Sequence, residues 1–117
     1  MAAPVIDVSR TGYSRAATDA VTSTANAAAV ITYGASGGRV HVLDGVTFSY
    51  SGDPTGGRLT VAVAGTTRFS VAITKGGPGP IPFDPPIRSG VGEAMVVTLA
   101  AGGGSLTGDL CCAHRVE

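Results

Sequence analysis

From residue 28 onward, apolar and small polar residues alternate with a period of two. Val46, Phe48 and Tyr50 share one face of an extended segment, with Thr47 and Ser49 on the other. Leu59, Val61 and Val63 repeat the pattern opposite Thr60 and Ala62, and Phe69, Val71 and Ile73 repeat it again. A helix would spread those side chains around its axis, whereas alternate residues of a strand point to opposite faces. The pattern therefore predicts antiparallel sheet with one buried face. The predicted strands cover 28–33, 39–51, the two arms of a hairpin turning at Ala64-Gly65-Thr66, 94–100 and 105–116. Glycine-rich turns at 34–38, 52–57 and 102–104 separate them, and Asp44-Gly45 marks a bulge or bend within the long strand.

The segment 76–87, Gly-Gly-Pro-Gly-Pro-Ile-Pro-Phe-Asp-Pro-Pro-Ile, breaks the alternation with stiffness. Prolines donate no ladder hydrogen bond, so this stretch lies at a sheet edge or runs between sheets as an extended connection. Ile81, Phe83 and Ile87 can each drop into the core or into a neighbouring chain. About seven strands result, and the long connection lets the chain change sheets. The fold class is all-β: an antiparallel β-sandwich of jelly-roll or Greek-key wiring, with an extended N-terminal arm. The domain spans 28–117. The arm is 1–27, small and polar without a sustained period, although Val5, Ile6 and Val8 could make a short strand. A helix over 16–29 is the weaker alternative: Ala favours it, but Thr22, Ser23, Thr24 and Asn26 oppose it. A segment that cannot bury its own backbone is ordered by a partner or stays disordered.

Composition sharpens this picture in two ways. The 117 residues are 44% hydrophobic but only 5% aromatic, with no tryptophan, so Val, Ala, Leu and Ile fill the core. One core fits this length, and it buries roughly two thirds of the unfolded surface. Aliphatic side chains bury less area than rings, at about 25 cal/mol per Å², so a modestly stable monomer is expected. Eight basic residues balance eight acidic ones, and the charged fraction of 14% is well under the roughly 25% of ordinary domains. A surface of Ser, Thr, Gly and Ala without net charge does little to keep copies apart, so association is the natural reading, with a monomer tolerant of low charge as the alternative. Nucleic acid is not an expected partner, because the cations are scattered and Lys75 is the only lysine.

The start of the chain shows no basic segment followed by an apolar core, and the apolar run at 25–33 is far shorter than the roughly 20 residues that span a bilayer. The expectation is a soluble chain made in the cytoplasm, with no membrane partner. Cys111 and Cys112 are adjacent on a predicted strand, point to opposite faces and cannot bridge, so they read as reduced. Zinc sites space cysteines two to four apart and need two further ligands. His41 and His114 lie far apart in the chain, and the His-x-His pair of a metal-binding barrel is missing, since Val42 and Leu43 follow His41. Asp44, Asp53, Asp84 and Asp109 sit near turns, but calcium needs six to eight converging oxygens, and Asp-Pro pairs are simply good turn formers. No Gly-x-Ser-x-Gly elbow or phosphate-binding loop is present, and a Cys112–His114 dyad is sterically conceivable but reads more simply as packing. The expectation is no catalytic residue, no metal, no cofactor and no small-molecule substrate.

The stretch 41–51, followed by 54–61, together with 77–86 and 97–103, resembles small virion structural proteins of tailed bacteriophages. The likeness covers about 28–116 and rests on structural motifs, so it carries no catalytic residues. It implies a capsid decoration, or cement, protein on the capsid exterior: a homotrimer bound to the major capsid protein and bracing the head. A head-fibre or tail-associated virion domain is the alternative within that class, and a non-catalytic carbohydrate-binding module the alternative outside it. Such modules stack sugars on exposed aromatics, whereas here the rings fall mostly on predicted core faces. The candidate interface is the arm through Val5, Ile6, Val8, Arg10, Tyr13 and Arg15, with the strip Ile81, Phe83 and Ile87 second.

Overall fold

A computed structural model describes residues 5–8, 17–35 and 37–117. Among these residues every regular element is a strand: β1 (Val5–Val8), β2 (Ala17–Thr22), β3 (Ala29–Tyr33), β4 (His41–Tyr50), β5 (Gly57–Val63), β6 (Thr66–Ile73), β7 (Gly79–Arg88), β8 (Met95–Leu99) and β9 (Gly108–Val116). They form two sheets, a five-stranded one in the order β1-β3-β8-β5-β6 and a four-stranded one in the order β2-β9-β4-β7. All neighbours are antiparallel except β1 and β3, which run parallel. Among the described strands, β5 and β6 alone are consecutive within one sheet, and each other consecutive pair lies in opposite sheets, which is the wiring of a jelly-roll-like sandwich.

Register turns the period-two pattern into rows of side chains. In the larger sheet Ala29, Leu99, Leu59 and Val71 line up across four strands, as do Ile31, Val97, Val61 and Phe69. In the smaller sheet Val21, Leu110 and Phe48 form one inward row, and Cys112, Val46 and Ile81 the next. β-branched and aromatic residues facing one another across strands are the unit of sheet stabilisation. The two sets of rows meet in one core, in which Ile31, Tyr33, Leu43, Leu59, Val61, Val97, Leu99 and Leu110 are fully buried. The alternating burial of β3, β5, β8 and β9 is the alternation of their sequences.

The bend predicted at Asp44-Gly45 is a register shift between Leu43 and Gly45 against both neighbours of β4. Beside it the absent Cβ of Gly45 matters, since one there would sit 3.2 Å from the Ile81 carbonyl oxygen. The hairpin turn is also where the alternation placed it: Ala64 and Gly65 both take positive φ, 50° and 80°, as a two-residue hairpin turn requires. The proline-rich segment resolves to an edge. β7 lies outermost in the smaller sheet, paired with β4 alone.

The sequence predicts an extended arm over residues 1–27. In the structure two stretches of that segment lie against the sandwich: Val5–Val8 pairs with β3 at the edge of the larger sheet, and Ala17–Thr22 with β9 at the edge of the smaller one. Their partners β3 and β9 would otherwise present unpaired backbone, so edge pairing is the physical reason these short stretches adopt strand.

Candidate functional site

The candidate interface residues separate into three groups. Val5, Ile6 and Val8 lie on β1, whose backbone pairs with Val30, Ile31 and Tyr33 respectively, from Val5↔Val30 to Val8↔Tyr33. Arg10, Tyr13 and Arg15 lie outside the described residues. Ile81, Phe83 and Ile87 are half-buried on β7 and pack against the core cluster. Phe83 meets Phe69 of β6 edge to face, with ring centroids 5.0 Å apart, so this pair closes the seam between the two sheets at their β6 and β7 edges.

The outer face of the smaller sheet carries a continuous run of small side chains. Ala20, Cys111, Thr47 and Pro80 form one outward row, and Ala113, Gly45 and Pro82 the next. Small side chains over the Gly45 bulge leave a shallow, open groove of about 420 Å³, mostly apolar, with Asp44 and Thr47 as its polar side chains. Its two ends differ. At one, Asp109 accepts from the hydroxyls of Thr22 at 2.6 Å and Ser49 at 3.3 Å. At the other, Arg115 donates to Asp44 at 3.1 Å and also pairs with Glu117, which Arg88 grips in turn. The hydrogen bond from Arg88 is the chief reason that the Glu117 carboxyl is held below the usual range.

A second polar cluster lies inside. His41 Nδ1 and His114 Nε2 are 2.9 Å apart, and both residues are fully buried. His41 Nε2 lies 2.7 Å from the Gly34 carbonyl just past β3. Tyr33 stacks on His114 with centroids 3.6 Å apart and donates its hydroxyl to Asp19 of β2 at 2.7 Å. Burial, reinforced by nearby Cys112 and Asp19, raises the Tyr33 phenol far above its ordinary value. Burial likewise pushes the Cys112 thiol up to about 12. A thiol so held stays protonated at neutral pH and is a poor nucleophile, so the Cys112–His114 proximity noted from sequence does not amount to an activated dyad.

His41 and His114 lie far apart in the chain, yet the structure brings them together. His41 pairs with Val116 in the β4–β9 register, and His114 lies two residues before Val116 on the same face, so the rings are diagonal neighbours. The available signal was strand phase: His41 precedes inward Leu43 by two residues, and His114 follows inward Cys112 by two. Among the described residues no group of three or more His, Cys, Asp or Glu is placed to hold a metal ion.

No family model matches the chain, and no curated protein does. Solved structures match in architecture. The CBM36-1 domain of a multidomain xylanase from the hindgut metagenome of Trinervitermes trinervoides shares 11% identity over 90% of this chain and 88% of that one, with a TM-score of 0.44. A carbohydrate-binding module CBM36 in complex with calcium and xylotriose shares 16% over 91% of each chain, at 0.42. PliG of Aeromonas hydrophila, a periplasmic inhibitor of g-type lysozyme, shares 12% over 94% and 96%, at 0.41.

Proposed function

We propose that this chain is a non-catalytic structural protein of a tailed-phage virion that works by laying its surfaces against other protein. The first reading is a capsid decoration protein, bound as a homotrimer to the outer face of the major capsid protein; a head-fibre or tail-associated domain is the variant of the same reading. The observation that carries it is the outer face of the smaller sheet. An open groove floored by Cys111, Ala113 and Gly45 and bordered by Pro80 and Pro82 offers a partner mainly apolar contact and shape. That suits a flat or extended polypeptide, whereas a small polar ligand calls for a concave site with several convergent polar groups. The buried histidine pair supports the non-catalytic part, since neither ring is open to a substrate. The resemblance of 41–51, 54–61, 77–86 and 97–103 to phage virion proteins supplies the particle.

A non-catalytic carbohydrate-binding module is the second reading, favoured by one observation. Thr22, Asp109 and Ser49 form a rank of hydroxyls and carboxylate on the same sheet face, a set able to exchange hydrogen bonds with sugar hydroxyls. Quantitative mass spectrometry of purified virions, run beside a glycan array, separates the two. A decoration protein is expected in hundreds of copies per particle with an empty array. Absence from the particle, together with selective glycan binding by the isolated chain, would replace the first reading by the second.

A further inference from the structure

The edges of the two sheets are not guarded alike. β7, outermost in the smaller sheet, carries prolines at 80, 82, 85 and 86, whereas β6, outermost in the larger sheet, contains no proline, glycine or acidic residue. Among the described strands β6 pairs with β5 alone. Its one irregularity is Arg68, the extra residue between the pairs Val61↔Phe69 and Ala62↔Thr67, which bends the start of the strand. The stretch from Phe69 to Ile73 is regular and carries no charge.

The free backbone groups of that stretch follow from its neighbours. Ala100 donates its N–H to the Arg58 carbonyl at 2.8 Å, and Ala64 donates to Ala94 at 3.0 Å, so the even-numbered residues of β5 turn their backbone toward β8. N–H and C=O of one strand residue point to the same side, and that side alternates along the chain. Gly57, Leu59 and Val61 therefore face β6 and bond Ile73, Val71 and Phe69. Ser70 and Ala72 turn their N–H and C=O groups to the open side, two residues apart, which is the spacing of an antiparallel ladder.

The side chains make this edge complementary to itself. Phe69, Val71 and Ile73 face the core, with Phe69 and Val71 only half-buried, and Ser70 and Ala72 are small and exposed. The order apolar, small, apolar, small, apolar is symmetric about Val71. We propose that two copies of this chain join antiparallel at 69–73 across a twofold axis at Val71, so that the larger sheet runs unbroken through both. Ser70 of each copy then exchanges both backbone bonds with Ala72 of the other. On the inner face Val71 meets Val71 of the second copy and Phe69 meets its Ile73, which extends the apolar rows of the core. On the outer face Ser70 lies beside Ala72. Charge does not oppose the contact: the two Arg68 side chains fall about 20 Å apart along the strands, beyond the Debye length of about 8 Å at physiological salt. Lys75, the next cation, has Asp53 of its own chain 3.8 Å away. The prolines of β7 keep the smaller sheet from joining in the same way, so the contact runs through one sheet. It is separate from the groove and rests on neither reading of it. Where the chain also forms trimers, the contact joins one trimer to the next.

Two experiments on the whole chain test this. Ala72→Pro removes an N–H that faces away from β5, so it leaves the sandwich ladder intact and strips donors from the contact alone. Sedimentation velocity over a concentration series should show the assembly mass of the unsubstituted chain halved in Ala72→Pro, with the dissociation constant raised about tenfold or more. Disulfide trapping reads the register. Opposed residues of a non-hydrogen-bonded pair hold their Cα atoms about 4.5 Å apart, within the span a disulfide bridges. In a Cys111→Ser background, Val71→Cys should give a covalent dimer under a mild thiol oxidant. Thr66→Cys, whose two copies lie on the order of 30 Å apart in this register, should not. A single-chain mass at every concentration, an assembly unchanged by Ala72→Pro, or trapping of Thr66→Cys as fast as Val71→Cys would overturn the proposal.

Discussion

At the scale of single residues, Phe48 and Gly79 show how tightly the smaller sheet is fitted. They face each other in the β4–β7 register, and a Cβ on Gly79 would lie 2.5 Å from the Phe48 ring. The ring therefore covers a glycine on the edge strand, and neither can change alone. Gly79→Ala should cost about 1–3 kcal/mol, the usual range for overpacking, read as a lower urea midpoint with an unchanged slope. An unchanged midpoint would mean that the ring can swing aside. The cysteines make a second test. Cys112 is buried with its thiol pushed up to about 12, and Cys111 is half-exposed on the groove floor. One thiol per chain should react with a disulfide reagent in the native protein and two after unfolding; two fast thiols in the native state would contradict the packing. The opposite facing of these neighbours was legible in the sequence, because strand alternation depends only on adjacency. The meeting of His41 and His114 was not, because it depends on the register of two strands about 70 residues apart, which local pattern does not fix.

At the scale of elements, β7 is the informative case. Four of its ten residues are proline, and Pro80 and Pro82, two apart, lack donors on the same side of the strand. An edge strand tolerates that only where the N–H positions face away from its neighbour, so the free side of β7 offers few groups to an incoming strand. The sequence confined this segment to an edge or a crossing because proline chemistry is local. It left open which, and whether Ile81, Phe83 and Ile87 turned inward, because that depends on where β4 lies. Replacing Pro80 and Pro82 by Thr should restore edge donors and at least double the rate of aggregation on mild heating, measured by light scattering. No change in rate would show that the edge is guarded otherwise. The Asp44 bulge and the Ala64-Gly65 turn were likewise legible from local residues, whereas β2 was not. Ala17–Thr22 has no strong strand pattern of its own, and it is strand because β9 offers it an edge.

At the scale of the whole molecule, the proposed role rests on balanced charge and a sandwich built from aliphatic rows, a module that would meet other protein through faces and edges. Six of the seven strands within 28–117 were expected from alternation, and β7 lies in the proline-rich stretch that breaks it; the order of strands in two sheets was not legible, since period two sets which face is buried but not which strand lies beside which. The most direct test is cosedimentation of the purified chain with phage heads assembled without it. The account predicts saturable binding at a fixed ratio to the major capsid protein, with the chain on the outer surface in electron micrographs. A chain that stays in the supernatant at every concentration, while heads lacking it are as resistant to heat as complete ones, would contradict it.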